Sequence, residues 1–265
     1  MARRPISQRM RRGISLRQVA PNAVTAMALC FGLTAIRYGI SGEWEKAVAA
    51  IIFAGVLDGI DGRIARLLHG ESRFGAELDS LSDSIAFGVS PALLVYLWSL
   101  QAMPRLGWIV VLGLALSCAL RLARFNANLD AIEQPRKVAG FMTGVPAPAG
   151  AGLAMLPLYF WFTTGLDIFR DWRLVAPWVL FTSFLMISSL PTLGWKRVRV
   201  PHAWRIFAIF AAGLFAAGLM VAPWISLMAL SLVYLAMIPV GFMSYRRASR
   251  RPGFTQPPAT PASDH

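Results

Sequence analysis

The feature that most constrains this chain is a series of apolar runs, several of which reach the ~20 residues that a helix needs to cross a bilayer. Of the 265 residues, 56% are hydrophobic and only 15% are charged, whereas soluble domains carry about 25% charged residues. The mean hydropathy is +0.55. This pattern predicts an all-α polytopic membrane protein whose helices face lipid and one another.

Eight helical spans follow from the positions of these runs and of the polar segments between them. Their approximate ranges are 22–40, 44–67, 74–100, 106–126, 145–164, 174–191, 203–221 and 224–243. We expect three regions, a basic N-terminal segment (1–20), a transmembrane domain (21–245) and a basic tail (246–265). The tail is rich in Pro, Thr and Ser after its arginines, a composition typical of disordered segments.

The net charge of +13 invites a nucleic-acid interpretation, but the basic residues lie between apolar segments and aromatics do not interleave with them. Alternate polar segments hold 21 of the 26 Lys and Arg residues. The positive-inside rule then places both termini and the loop after the second span in the cytoplasm. We therefore expect a multi-pass protein of the cell (inner) membrane whose basic face meets anionic headgroups, and no nucleic-acid partner.

Four aspartates interrupt the apolar pattern where the second span gives way to the third. Asp58 and Asp61 are three residues apart, and Asp79 and Asp83 are four apart, so each pair lies on one helix face. Because a short loop joins the two helices, they must be antiparallel neighbours, and the four carboxylates can converge. Ligand sets made only of oxygen suit Mg²⁺, Mn²⁺ or Ca²⁺. The sequence therefore predicts a divalent-metal site.

Small and basic residues surround these aspartates. Small residues often mark close helix packing in membranes, but beside carboxylates they also let a bulky ligand approach the backbone. Arginines at the same membrane depth as the aspartates can bind a phosphate. For Arg63 and Arg73, a role as surface residues that follow the positive-inside rule is an equally good explanation. The small residues are Gly55, Gly59, Gly62, Ala65 and Gly75, and the third arginine is Arg66.

The spacing of these residues resembles the signature of the CDP-alcohol phosphatidyltransferase family. The matching pattern is Asp58-x-x-Asp61-Gly62-x-x-Ala65-Arg66, eight further residues, and Gly75-x-x-x-Asp79-x-x-x-Asp83. No position departs from the family pattern. Members of this family transfer a phosphatidyl-type group from a CDP-linked lipid to an alcohol and release CMP. The resemblance implies an active site at the cytoplasmic ends of helices 1 to 5.

The resemblance also implies roles for single residues. Asp58, Asp61 and Asp79 would bind a pair of divalent ions, Mg²⁺ or Mn²⁺, with Asp83 as a further ligand and as the catalytic base. The CDP-lipid would be held by the signature and by "PNAVT" (21–25) in the first span. The residues implied for this binding are Asn22, Thr25, Gly62, Ala65, Arg66, Arg73 and Gly75. The family further implies a homodimer.

Three later segments resemble the integral-membrane phosphatidylserine synthase branch of the family. They are "LRLARFN" (120–126), "GFMTGVPAPAGAG" (140–152) and "SSLPTLGWK" (188–196). This branch implies CDP-diacylglycerol as the donor, L-serine as the acceptor, and phosphatidylserine and CMP as the products.

Without the resemblance, the chemistry of the residues does not decide which alcohol is the acceptor. Arg121 and Arg124 are three apart on one face and suit the serine carboxylate; with Asn126 they are the predicted serine-binding residues. The same cations also suit glycerol 3-phosphate or an inositol phosphate. Choline would require an aromatic cage, for which Phe125 and Phe141 offer little.

A membrane cation transporter is the alternative from another class, because carboxylates inside a membrane also mark ion pathways. All four aspartates fall at one end of their spans rather than along a path across the membrane. Phosphatidyl transfer is therefore the favoured hypothesis and cation transport the less favoured one.

Overall fold

The computed structural model describes residues 16–68, 70, 72–127, 141–188, 191–193 and 205–249. The chain forms two compact units, one up to Leu94 and the other from Val95 onward. Much of the charge on which the predicted orientation rests, in 1–15, 128–140, 194–204 and 250–265, lies outside the described residues.

The first unit is built from helices that match the first three predicted spans. They are α1 (Leu16–Ile40), α2 (Trp44–Leu67), α3 (Arg73–Asp83), a π-helical turn (Ser84–Val89) and the start of α4 (Ser90–Trp98). Helices α1 and α2 pack closely, with fully buried alanines such as Ala35 on α1 and Ala47 and Ala54 on α2. Small side chains let helix backbones approach, which is how helices associate where lipid offers no hydrophobic driving force.

Helix α3 begins with a side-chain cap. Ser72 has extended backbone and its hydroxyl accepts a hydrogen bond from the Gly75 N–H at 3.0 Å, which satisfies one of the free donors at the helix start. Ten residues further on, the chain changes to π-helical geometry immediately after Asp83. A π-turn inserts an extra residue into the helical repeat, so the aspartates precede a shift in side-chain register.

The π-helical turn packs tightly against α1. A Cβ at Gly32 would lie 3.0 Å from the Ala86 Cα, and the Ser90 hydroxyl donates to the Gly32 carbonyl at 2.8 Å. A side chain larger than hydrogen at position 32 would therefore push against backbone. These contacts hold α1 directly alongside the helix that carries Asp79 and Asp83.

In its described part, beyond the end of α4, the second unit contains six α-helices. They are α5 (Gly107–Ala127), α6 (Ala147–Ala154), α7 (Leu156–Thr164), α8 (Trp172–Ile187), α9 (Arg205–Val221) and α10 (Pro223–Ser249). Helices α5 and α8 pack side by side, and Leu114 and Cys118 of α5 and Val175 of α8 are fully buried. Large apolar side chains such as Phe210 and Met220 remain exposed, as expected for surfaces that face lipid.

The predicted fifth span is broken into α6 and α7. Pro157 stands in the first turn of α7, and proline has no N–H to donate to the carbonyl four residues earlier. That carbonyl belongs to Leu153, and it accepts instead from the Trp178 indole N–H of α8 at 2.7 Å. The break therefore leaves no unpaired carbonyl at Leu153, and it binds α6 to α8.

A two-stranded antiparallel ribbon departs from the predicted all-α architecture. β1 (Phe141–Thr143) pairs with β2 (Pro191–Leu193), with Met142 opposite Thr192. Helix α8 therefore ends at Ile187, four residues before the predicted end of its span. Gly144 follows β1 with φ +74°, and a Cβ there would lie 2.8 Å from the Ser188 carbonyl oxygen, so only glycine fits this crossing.

Two other boundaries differ from the prediction. Helix α1 begins at Leu16 rather than near residue 22, and α10 continues to Ser249, so the first residues of the predicted tail are helical. By length and composition, four segments of the described chain can cross a membrane: Val19–Ile40, Arg73–Trp98, Gly107–Ala127 and Pro223–Met243. The prediction of a helical membrane protein is confirmed at this level.

Candidate active site

Three of the four predicted carboxylates converge in the first unit. Asp58, Asp61 and Asp79 each offer a ligand oxygen, and these oxygens all lie within 4.8 Å of one another; we call them the aspartate cluster. Asp61 is 4% exposed, and the other two side chains are half-buried. The spacing argument that brought α2 and α3 together is therefore confirmed for these three residues.

Asp83 stands beside the aspartate cluster rather than within it. It is the last residue of α3, one turn beyond Asp79, and its carboxyl group is within hydrogen-bonding reach of the Asp58 carboxyl group. Asp83, the predicted fourth metal ligand, therefore meets the aspartate cluster at Asp58. This leaves Asp83 in a different position from the other three, next to the π-helical turn.

Helix α1 contributes Thr25 to the aspartate cluster. The Thr25 Oγ1 lies 2.6 Å from Asp61 Oδ2 and 3.1 Å from the Pro21 carbonyl oxygen. The Thr25 carbonyl in turn accepts from the Ser82 hydroxyl at 3.2 Å. Ser82 was not among the predicted site residues. Its position between Asp79 and Asp83, on a helix that packs against α1, is the sequence feature that could have indicated it.

Asn22 and Gly75 meet where α1 passes the start of α3. A Cβ on Gly75 would lie 2.8 Å from Asn22 Oδ1 and 3.1 Å from the Ser72 hydroxyl. Glycine at position 75 therefore lets the Asn22 amide approach the α3 backbone. Sequence comparison with the family assigned both residues to one ligand, and the structure brings them into direct proximity.

The glycines of α2 divide into two kinds. A Cβ on Gly55 would touch the Phe87 ring at 3.4 Å, whereas no atom of the described residues lies within 4 Å of a Cβ built on Gly59 or Gly62. Close helix packing therefore accounts for Gly55 but not for the other two. The Cβ position of Gly62, the residue after Asp61, is open among the described residues, as an approaching ligand would require.

The three arginines near the cluster are available to an anion. Arg63, Arg66 and Arg73 are exposed, and within the described part of the chain the only ion pair joins Lys46 to Glu43. Ala65, between two of them, is half-buried. Guanidinium groups that have no carboxylate partner among the described residues suit a phosphate ligand.

The predicted serine-binding residues lie in the second unit. Arg124 Nη1 donates to the Ile187 carbonyl at 2.9 Å, which joins the C-terminal ends of α5 and α8. Since β1 pairs with β2, the described parts of the three segments (120–126, 141–152, 188 and 191–193) meet at one corner of this unit. We call this region the α5–α8 corner. Asn126 is half-buried there.

Tyr234 of α10 is a residue that the sequence did not single out. Its hydroxyl oxygen is buried without a hydrogen-bond partner among the described residues, and Arg121 is close enough for its charge to act on it. Helix α10 also contacts the β2 strand. An aromatic residue in an apolar span gives no signal of such a position.

The donor set of the aspartate cluster fits a divalent cation. The cluster offers carboxylate oxygens only, and no His or Cys of the described chain joins it. Hard ions such as Mg²⁺, Mn²⁺ and Ca²⁺ prefer such ligands. Three ionised carboxylates this close together in a helix bundle need a positive charge to offset their repulsion.

Comparison with known families shows which family this chain belongs to. The family model described as CDP-alcohol phosphatidyltransferase matches residues 18–195, which include every residue of the aspartate cluster and the open glycine beside it. The chain belongs to the CDP-alcohol phosphatidyltransferase family. A second model, CDP-alcohol phosphatidyltransferase 2, matches residues 203–239, so the family likeness extends to α9 and to the part of α10 that carries Tyr234.

Several curated relatives in this family share one name. The chain is 43% identical over 212 residues to the CDP-diacylglycerol–serine O-phosphatidyltransferase of Mycobacterium tuberculosis H37Rv, an alignment covering 77% of this chain and 71% of the relative. The protein of that name from Mycobacterium leprae is 43% identical (78% and 70% covered). The one from Helicobacter pylori 26695 is 32% identical (68% and 73% covered).

Proposed function

We propose that this protein transfers the phosphatidyl group of CDP-diacylglycerol to L-serine and releases phosphatidylserine and CMP. The observation that carries the proposal is the convergence of Asp58, Asp61 and Asp79, all signature residues, beside the open space at Gly62. The names of the relatives support serine as the acceptor. The transport alternative is less favoured, because the cluster sits within a complete transferase signature.

The reaction joins the serine hydroxyl oxygen to the phosphatidyl phosphorus and breaks the bond from that phosphorus to CMP. We propose that Asp83 removes the proton from the attacking hydroxyl, since its carboxyl group lies beside the cluster and not inside it. General-base catalysis of this kind contributes about 10²–10⁴-fold. The aspartate cluster would hold Mg²⁺ or Mn²⁺, and the family resemblance implies a pair of ions. The bound cation would neutralise the charge on the phosphate of the leaving CMP.

The CDP-lipid would lie along the cytoplasmic ends of α1 to α3. Gly62 and Gly75 keep side-chain bulk away from the helix surface, and the exposed arginines offer donors to the diphosphate. The residues that we propose for this binding are Asn22, Gly62, Ala65, Arg66, Arg73 and Gly75. Thr25, which the family resemblance also implies for the CDP-lipid, lies instead against Asp61.

Serine would be bound at the α5–α8 corner. We assign its carboxylate to Arg121 and Arg124, with Asn126 as a further polar contact. The support is that the described parts of the three segments that resemble the phosphatidylserine synthase branch come together there through the Arg124–Ile187 hydrogen bond and the β1–β2 ribbon. Arginine presents a planar pair of donors that matches a carboxylate.

The same proposal includes the membrane arrangement. Eight spans in a transmembrane domain of about residues 21–245 would place both termini and the active site on the cytoplasmic face of the inner membrane. CDP could then enter from water while the acyl chains remain in lipid. We further propose that the protein works as a homodimer.

The test is an assay of CMP release by the purified protein with CDP-diacylglycerol and Mn²⁺ or Mg²⁺. Serine, glycerol 3-phosphate, inositol phosphate and choline are compared as acceptors, and the lipid product is identified by mass spectrometry. Phosphatidylserine formation with serine alone is expected. CMP release only with another alcohol would overturn the serine assignment, and metal uptake into vesicles without CMP release would overturn phosphatidyl transfer itself.

A further inference from the structure

Thr25 is the residue whose surroundings differ most from its predicted role. Family resemblance assigned it to the CDP-lipid, but its side chain is 4% exposed and its hydroxyl faces two acceptors, Asp61 Oδ2 at 2.6 Å and the Pro21 carbonyl at 3.1 Å. A threonine hydroxyl has one proton to donate. The shorter contact is the one to the carboxylate, and hydrogen bonds to ionised groups are the stronger ones.

A diphosphate would compete poorly for that proton. Diphosphate oxygens are acceptors, as are the Asp61 carboxylate and the Pro21 carbonyl, so binding the CDP-lipid through Thr25 would remove the donor from Asp61. Asp61 is the most buried member of the aspartate cluster. A buried carboxylate that loses a hydrogen-bond donor is costly.

The backbone of Thr25 connects α1 to the other aspartate-bearing helix. Its carbonyl accepts from the Ser82 hydroxyl at 3.2 Å, and Ser82 is 3% exposed between Asp79 and Asp83. One residue of α1 therefore contacts α2 through its side chain and α3 through its backbone. These two contacts set the position of Asp61 relative to the helix that supplies Asp79.

We propose that Thr25 is a positioning residue of the metal site, which holds the Asp61 carboxylate in the orientation that binds the cation and does not contact the nucleotide. The inference rests on the proposed metal-dependent function. A carboxylate with one oxygen held by a donor has less freedom to rotate about its side-chain bond, so its remaining lone pairs keep a fixed direction. Partners that orient metal ligands typically account for 10- to 100-fold in metal affinity or activity.

The experiment compares Thr25→Val, which keeps the shape and removes the hydroxyl, with Thr25→Ser, which keeps the hydroxyl. Binding of Mn²⁺ is measured directly by electron paramagnetic resonance on the purified full-length protein without substrate. Thr25→Val is expected to raise the Mn²⁺ dissociation constant about 10- to 100-fold. Thr25→Ser, which keeps the hydroxyl, is expected to bind Mn²⁺ with near wild-type affinity. At saturating Mn²⁺, the Michaelis constant for CDP-diacylglycerol should be unchanged in both.

Thr34→Val is the matched control. Thr34 lies on the same helix, and its hydroxyl donates to the Cys30 carbonyl four residues earlier at 2.7 Å, so the change removes a similar backbone contact without touching a carboxylate. It should leave Mn²⁺ affinity unaltered.

Two results would overturn the inference. If Thr25→Val leaves Mn²⁺ affinity intact but raises the Michaelis constant for CDP-diacylglycerol, Thr25 contacts the diphosphate. If Thr25→Ser weakens Mn²⁺ binding as much as Thr25→Val does, the hydroxyl is not sufficient to hold Asp61, and the site depends on the packing of the whole side chain rather than on this hydrogen bond. Because Mn²⁺ binding is read without turnover, failure of the serine reaction in the wild type would leave this test standing and would refute the proposed function separately.

Discussion

Gly62→Ala separates packing from ligand binding at the active site. No atom of the described residues lies within 4 Å of a Cβ built at this position, and Gly62 is exposed on α2. The added methyl group therefore meets no described side chain or neighbouring helix. Alanine is favoured over glycine inside a helix by about 0.5–1 kcal/mol, so the folded protein should gain about that amount of stability.

Activity should change in the opposite direction. If the nucleotide approaches the α2 backbone at Gly62, the methyl group occupies part of the ligand's space. Overpacking of a well-fitted contact costs about 1–3 kcal/mol, which corresponds to roughly 5- to 150-fold in affinity. We expect the Michaelis constant for CDP-diacylglycerol to rise by a factor in this range and that for serine to change little.

The assay pairs thermal unfolding in detergent with steady-state kinetics at saturating Mn²⁺. Gly113→Ala is the matched control. Gly113 lies within α5, no atom of the described residues lies within 4 Å of a Cβ built there, and it belongs to no proposed binding set. It should gain similar stability and keep wild-type kinetics. A fall in stability for Gly62→Ala alone would show that the space is not open, and unaltered kinetics would show that no ligand enters it.

Three further changes test the aspartate cluster, the packing of α1 against the π-helical turn, and the buried hydroxyl group of Tyr234. Asp79→Asn should lower CMP release by more than about 100-fold and leave membrane insertion intact. EDTA should abolish the activity of the wild type, and added Mn²⁺ should restore it. Full activity in the presence of the chelator would contradict a metal role. Gly32→Ala should destabilise the fold by about 1–3 kcal/mol, because its Cβ would lie 3.0 Å from the Ala86 Cα; an unchanged melting temperature would show that the π-helical turn can move away. Tyr234→Phe should leave stability equal or raise it by about 1 kcal/mol, since it removes a buried hydroxyl with no partner among the described residues; a clear loss of stability would mean that the hydroxyl is bonded.

Local spacing predicted the parts of the site that one helix pair determines. Aspartates three and four residues apart had to share a face, and a short connection had to bring α2 and α3 together, so the meeting of Asp58, Asp61 and Asp79 was predictable. The separate position of Asp83 was not, because it depends on where α3 changes into the π-helical turn, and apolar periodicity carries no signal for that change.

Prolines explain two of the differences between the predicted spans and the observed helices. Hydropathy continues smoothly through Pro157 and up to Pro191, so each segment was predicted as one unbroken helix. The first proline frees the Leu153 carbonyl for Trp178, and the second lies in a strand opposite Thr143. Both outcomes depend on partners more than 20 residues away in the sequence, and a window of local hydropathy does not contain them.

Thr25 shows what a family pattern can and cannot assign. The pattern identifies the residues that a shared chemistry needs, and it grouped Thr25 with Asn22 because both stand in "PNAVT". It does not say which of those residues touch the ligand and which hold the others in place. That distinction depends on counting donors: Asn22 has an amide with two N–H groups to share, whereas Thr25 has one proton and already lies 2.6 Å from Asp61, 36 residues later in the chain. A residue whose only donor faces a metal ligand acts on the substrate through that ligand, and for this reason we separate Thr25 from the nucleotide contacts.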